Sequence, residues 1–427
     1  MEGRPRISGS PSSGRTSAVV LSGGGAKGAY EVGVLKALIE GASPSTGYRP
    51  LTADLYCGSS TGAYNAAFMV SHCARHLESG AVRLLENVWR GRIAAQSQSC
   101  GNGIFRLRGS PELVLNPSCW SAENARRLSR DTGFLAGILA AESYQFAASK
   151  KSFTLRLLNS IDLTTLIESE PLDRLMAETL SPEGMLATAT RLKVVATSFR
   201  SGRPRVFDKR EITRDVGIRA VKASAAIPGL FPTTDINGEP FTDGSVAQNT
   251  PLLPAVYAGG TDLHVVFVSP SVRDVPLPAL PNSFDTLYRL LLIQSSHQLH
   301  GATQWLKHLG RLRRAGFSIG EIEHLSGCLN AKLLRYLEQR QPQQALKVHK
   351  YSPKVDLEGA DGLLDFSIEN IDRNIARGYH DAVHHDCGKA GCLLAEAQEP
   401  HAAGQPAEYH MNARDDLTPA ISEDHTW

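Results

Sequence analysis

No run of some twenty apolar residues occurs in this 427-residue chain, which leaves no candidate for a membrane-spanning helix and limits any membrane contact to a peripheral one. The first apolar run, Ala18 to Leu21, is far too short for the core of a secretory signal, and the polar Ser-, Gly-, Pro- and Arg-rich segment before it reads as a disordered tail. An excess of either charge is also missing. Forty-five Lys and Arg against 43 Asp and Glu give a net charge of +2, so no global field points to a nucleic-acid partner and none is expected. Seven cysteines, an odd number scattered from Cys57 to Cys392, do not resemble a disulfide framework in a chain this long. A reducing, cytoplasmic compartment fits them best. In the segment "HDAVHHDCGKAGC", His384, His385, Cys387 and Cys392 stand close together, but the paired short spacings of a metal site are absent. A polar helix end explains the same residues, so neither a metal nor another cofactor is expected.

What is present is enough hydrophobic material, 42% of residues, to bury a large core. "TSAVVLS" reads as a buried strand that runs through the glycine turn "GGGAKGAY" into a helical pattern. "TADLYCGSS" repeats the scheme, leading into the helix-like "TGAYNAAFMVSHCARHL". Two strand, turn, helix units in succession predict an α/β fold with a mainly parallel sheet. Between about residues 91 and 160 the pattern loosens into a cap or insertion, with "AENARRLSRDTGFLAGILAAESYQFAASKK" its longer helical piece.

Farther on, "SIDLTTLIESEPLDRLMAETL" and "DVGIRAVKASAAIPGLFP" read as helices, the second ending at Pro228. "RLKVVATSF" and "RPRVFD" read as paired strands and "LHVVFVSP" as another; "QALKVHKYSP" adds a late strand. A long amphipathic helix follows Phe284, and "SIENIDRNIARGYHDAVHHD" closes the domain. The expected organisation is a tail over residues 1–15, one domain over 16–395, and a disordered Pro-, Ala- and acid-rich tail over 396–427.

The chemistry gathers at three places. "LYCGSSTGAYNAA" carries Gly-x-Ser-x-Gly at Gly58, Ser60 and Gly62, where a sharp strand-to-helix turn would expose the serine hydroxyl. In so glycine- and serine-rich a chain the bare pattern arises by chance with odds of roughly three in ten, and a simple joining turn accounts for it about as well. The helix that starts near Thr61 would direct its N-terminal amides toward the site, favouring an oxyanion there. A serine nucleophile also needs donors for the charge forming on the attacked carbonyl and a base for its own proton.

The run Gly23, Gly24, Gly25, Ala26, Lys27 and Gly28 offers unencumbered amides as those donors. It is not a P-loop, because Lys27 precedes Gly28 and Ala29 instead of following a glycine and preceding Ser or Thr. In "GEPFTDGSVAQNTPL", Asp243 sits where a strand gives way to a turn, as a base would, although an Asp-Gly turn is the simpler reading of that dipeptide alone.

Taken together and in this order, "SGGGAKGAYEVGVLKAL", "GSSTGAYNAA", "ASAAIPGLFP" and "FTDGSVAQNTPL" resemble the patatin-like phospholipases, a family of lipid acyl hydrolases. The resemblance runs from about Ala18 to Pro254, and more weakly to the closing helix. It implies a three-layer α/β/α fold, a modified α/β-hydrolase type with a mainly parallel central sheet. It implies Ser60 as nucleophile on an elbow flanked by Gly58 and Gly62, Asp243 as the second half of a Ser/Asp dyad, and Gly23 to Gly28 as the oxyanion loop. Ser245 departs from the glycine or alanine that many members carry after the Asp-Gly pair.

The implied reaction is hydrolysis of acyl esters of membrane phospholipids or other lipids, without a cofactor and with peripheral membrane contact. Two segments could make that contact, "QWLKHLGRLRRAG" and "TGFLAGILAAESYQF". The alternatives are a transacylase on the same dyad and a Ser/His/Asp hydrolase using His297 or His300.

Overall fold

The computed structural model describes residues 16–95, 101–109, 117–148, 166–277, 279–280, 282–314, 346–359 and 361–392. Both expected tails, 1–15 and 396–427, lie outside these residues, as do parts of the expected cap, 96–100, 110–116 and 149–160.

In chain order the elements used below are β1 (Ser17–Leu21), α1 (Ala29–Ile39), β2 (Leu55–Ser59), α2 (Thr61–Val88), β3 (Arg106–Leu107), α3 (Ala122–Ala148), β4 (Ile167–Glu168) and α4 (Glu170–Thr179). They continue with β5 (Arg191–Ser198), β6 (Pro204–Asp208), α5 (Arg219–Ser224), β7 (Thr234–Ile236), β8 (Glu239–Thr242) and α6 (Leu252–Tyr257). The last are β9 (Asp262–Val266), α7 (Ser283–Arg314), β10 (Lys347–Tyr351) and α8 (Ile368–Val383).

The main sheet runs β10-β9-β1-β2-β5-β8-β7, with β6 also on β5. Every pairing from β10 to β5 is parallel, while β6, β8 and β7 pair antiparallel. Period-two alternation sorts β1 between two cores, as expected for a strand covered on both faces. Val19 and Leu21 join the residues of α1, α2 and α8, and Ala18 and Val20 join those of α6 with Leu299 and Ala302 of α7. Helix, sheet and helix therefore form three layers, the α/β architecture that the motif order implies.

Helix α1 is buried on all sides between the sheet and α8, which is why "AYEVGVLKALI" is apolar almost throughout instead of along one stripe. Helix α8 starts where the Ser367 hydroxyl accepts from the Asn370 amide, and it turns Ile371 and Ile375 into the same core.

Three expectations need correction. The helix expected over "DVGIRAVKASAAIPGLFP" is only the six residues of α5, and it stops four residues before Pro228. There the Ser224 hydroxyl donates to the Val195 carbonyl at 2.5 Å, and Ala225 and Ile227 are left to line a pocket. Of "SIDLTTLIESEPLDRLMAETL", only Glu170–Thr179 is helical among the described residues, because Ile167 and Glu168 pair as a strand with Leu107 and Arg106. Although the cysteines do not resemble a disulfide framework, Cys119 is disulfide-bonded.

Within the expected cap, Arg106 holds β3 to both α3 and β4 by ion pairs with Asp131 and Glu168. Phe105 next to it lies edge-on to Phe231 and Phe366. This segment is thereby joined to the apolar surface beside Ser60.

Candidate active site

Sheet register brings the three sequence motifs to one edge. Leu21 at the end of β1 lies opposite Gly58 of β2, so the turns that follow both strands leave the sheet side by side. Ser59 pairs with Val195 of β5, while β8 runs the other way and sets Thr242 against Thr197. The next residues, Ser60 and Asp243, then converge from the two strands that flank β5.

Ser60 occupies the junction of β2 and α2 with φ 53° and ψ −128°, a conformation that L-residues avoid. The turn is held from both sides. The Ser60 amide donates to the Ser224 hydroxyl at 2.9 Å, and its carbonyl accepts from the Ala63 and Tyr64 amides. Flanking glycines make the elbow possible by close approach, since a Cβ on Gly58 would stand 2.2 Å from the Gly62 carbonyl oxygen.

The Ser60 hydroxyl donates to Asp243 Oδ2 at 2.7 Å, and the other oxygen of that carboxylate accepts from the Ser245 amide at 2.8 Å. Both side chains are buried. Burial lifts the Asp243 carboxyl to about 6, against the opposing hydrogen bonds from Ser60 and from the amide and hydroxyl of Ser245. The Asp243 backbone is fixed as well, its amide donating to the Ala226 carbonyl and its own carbonyl accepting from the Thr197 hydroxyl. Among the described residues, no histidine hydrogen-bonds either Ser60 or Asp243; His297 and His300 lie on α7.

The glycine loop packs directly on this pair, so that a Cβ on Gly23 would come within 2.8 Å of Ser60 Cβ. Its amides are not equivalent. Gly23 donates to the carbonyl and side-chain oxygens of Asn249, and Lys27 donates to the Gly24 carbonyl. The amides of Gly24 and Gly25 have no backbone or side-chain acceptor among the described residues. Gly25, at φ 56°, lies so close to the chain that an added Cβ would meet the Leu363 carbonyl oxygen at 2.2 Å. Ala26 and Gly28 are buried in the short helix that follows.

The Lys27 side chain reaches Tyr288 and Asp356, the latter 3.6 Å distant. Its burial lowers the ammonium to about 8, with Asp356 acting in the opposite sense.

Sequence reasoning assigned no role to the polar network beneath the loop. Trp89 Nε1 donates to Asn65 Oδ1, while Asn65 Nδ2 donates to Glu31 Oε2 at 2.9 Å and to the Gly28 carbonyl at 3.2 Å. Glu31 is fully buried, which raises its carboxyl well above the usual range despite the Asn65 and Ser22 hydrogen bonds. The signal in the sequence was a lone acid in the otherwise apolar "AYEVGVL". Ser60 and Gly25 border two pockets, one lined by Tyr64, Trp89, Met176, Phe231 and Phe366, the other by Ser245, Tyr288, Leu291 and Leu363. A serine poised on a carboxylate at the junction of two largely apolar pockets is suited to an ester with a long acyl chain.

The patatin-like phospholipase family model matches residues 19–256, which contain all three motifs. Comparison with curated proteins finds no match. Among solved structures, VipD from Legionella pneumophila is similar at 14% identity, with a TM-score of 0.29, over 85% of this chain and 67% of its own. A chain of the complex of full-length SpcU with full-length ExoU, from the type III secretion system of Pseudomonas aeruginosa, is similar at 18% identity. Its TM-score is 0.22, over 76% of this chain and 68% of that one.

Proposed function

Because the chain belongs to the patatin-like phospholipase family and is therefore a lipid hydrolase, we propose that Ser60 is its nucleophile, Asp243 its general base, and membrane phospholipid its substrate. The 2.7 Å hydrogen bond from Ser60 to a buried carboxylate carries this reading. Asp243 removes the hydroxyl proton as Ser60 Oγ bonds to the ester carbonyl carbon. The carbonyl electrons move onto oxygen, where the Gly24 and Gly25 amides receive the charge. Collapse of that intermediate expels the lysolipid alcohol, which takes the proton back from Asp243 and leaves an acyl-Ser60 ester.

Water then attacks this ester with Asp243 again as base, releasing the fatty acid. Of the six loop residues, Gly24 and Gly25 border Ser60 and are the donors this reading favours, whereas the amides of Gly23 and Lys27 are already engaged. The adjoining apolar pocket, with Phe231 and Phe366 in its wall, would take the acyl chain.

The test is product analysis on mixed phospholipid vesicles, supplemented with an acceptor alcohol, for the unaltered enzyme beside Ser60→Ala and Asp243→Asn. Free fatty acid and lysolipid from the unaltered enzyme alone support hydrolysis by this pair. Acyl transfer to the added alcohol in preference to water would make the protein a transacylase, and activity retained in Asp243→Asn would remove the dyad.

A further inference from the structure

The sequence cluster near the C-terminal end of the domain looks different once folded. His384 turns back on its own helix, its Nδ1 2.9 Å from the His380 carbonyl. Its place is taken by His349 from β10, a residue outside the cluster. The ligand-type atoms of His349, His385, Cys387 and Cys392 all lie within 4.8 Å of one another. Cys387 Sγ is 3.4 Å from both His349 Nδ1 and His385 Nε2, and Cys392 Sγ is 3.4 Å from His385 Nε2.

In a tetrahedron with metal–sulfur bonds of about 2.3 Å and metal–nitrogen bonds of about 2.0 Å, the sulfur–nitrogen edge is about 3.5 Å. The three observed separations already have that length. From this convergence we propose that His349, His385, Cys387 and Cys392 bind one zinc ion in a closed, structural Cys2His2 site.

The surroundings have the features that such ligands require. A metal-binding imidazole uses one nitrogen for the ion and offers the other to an oriented acceptor. His349 points Nδ1 at the cluster and Nε2 at Asp262 Oδ1, 3.5 Å away on the neighbouring strand. Its ring is stacked on that of His264, its partner in the parallel register, at 4.9 Å and 14°. The Lys350 amide donates to Cys392 Sγ at 3.2 Å, a contact that favours the thiolate form a metal needs.

Two thiolates and two neutral imidazoles would balance a dication, and this donor set in tetrahedral array suits zinc. All four positions are filled by the chain, so no open site remains for chemistry. The site instead ties β10, the edge strand of the sheet, to the segment that follows α8. β2, which leads to Ser60, is three strands away, a spacing of roughly 14 Å. The proposed zinc is therefore independent of the hydrolytic reading.

Metal analysis of the full chain, purified without an affinity tag that binds metals and washed with EDTA, should find about one zinc per chain. Replacement by cobalt(II) should give the visible bands of tetrahedral cobalt together with thiolate charge transfer. The double variant Cys387→Ser/Cys392→Ser should lose both metal and bands, and Cys73→Ser, at a buried thiol outside the cluster, should keep them. If the double variant does not fold, the zinc content and cobalt spectrum of the unaltered protein decide the matter. Zinc well below stoichiometry with no tetrahedral cobalt spectrum, or a Cys387–Cys392 disulfide in the freshly isolated protein, would overturn the proposal.

Discussion

The Ser60 hydroxyl lies 2.7 Å from Asp243 Oδ2 although 183 positions separate the two residues in the chain. Asp243 can accept a proton only while ionised, and burial raises its carboxyl to about 6. If it is the base, kcat/KM for lipid hydrolysis should rise about tenfold per pH unit below that value and level off above it. The Ser245 amide and hydroxyl act in the other direction, favouring the ionised form. Ser245→Ala retains the amide and removes the hydroxyl, so its acid limb should move to higher pH. A profile of the free enzyme on a soluble ester checks both, and a midpoint near that of an ordinary exposed carboxylate would count against Asp243 as base.

The same burial has a consequence for stability. Below about pH 4 Asp243 is protonated in the folded and unfolded chains alike, and its folded-state preference for the proton contributes fully. As pH rises from 3.8 through about 6, the unfolded chain ionises first and that contribution is lost. A displacement of about two pH units corresponds to at most about 3 kcal/mol. Asp243→Asn should therefore be inactive yet more stable than the unaltered protein at neutral pH, with a gain that shrinks on acidification. Denaturant titrations at pH 4 and pH 7.5 would show this; an equal or greater loss of stability at pH 7.5 would refute it.

How much of this was legible in the sequence follows from how local each signal is. β1, β2 and the turns after them could be read because a continuous apolar run, a glycine-rich turn and a helix start lie next to one another in "AVVLSGGGAKGAY" and "LYCGSSTGAY". Asp243 could be located as a strand end, but its partnership with Ser60 depends on the antiparallel return of β8 beside β5, which no local pattern records. Ser224 was hidden in an apparently continuous helix that tertiary hydrogen bonding cuts short. Lys27 is the converse, since its place in a glycine loop suggested a role in anion binding, and only the fold turns its side chain to Tyr288 and Asp356.

Gly25 offers a direct test of the oxyanion donors. Alanine there would be strained at φ 56° and would drive its Cβ into the Leu363 carbonyl oxygen, displacing the free amides of the loop. Gly25→Ala should lower kcat by about a hundredfold or more, the range seen when an oxyanion donor is lost. KM should change far less, because the apolar pocket walls remain. Steady-state kinetics on a short-chain ester, paired with circular dichroism to show a native fold, separates this from unfolding; unchanged kcat in a folded variant would exclude the loop as the donor.

Glu31 supports that loop through Asn65, which also holds the Gly28 carbonyl, and it does so from a site with no cation beside it among the described residues. Burial raises its carboxyl and favours the neutral form, so glutamine should preserve the hydrogen bond and most of the activity. Alanine leaves a cavity and an unpaired amide, and should cost about 2–4 kcal/mol together with activity. The sign of the pH dependence is fixed by the raised carboxyl. Below the ordinary value of 4.5 both folded and unfolded chains are protonated; above it the unfolded chain ionises first, and the unaltered protein loses stability relative to Glu31→Gln. The difference between the two should widen by about 1.4 kcal/mol per pH unit above that value until the folded carboxyl itself ionises. A constant difference between pH 5 and pH 7 would mean that Glu31 is ionised in the native state, and that a counter-charge is held against α1.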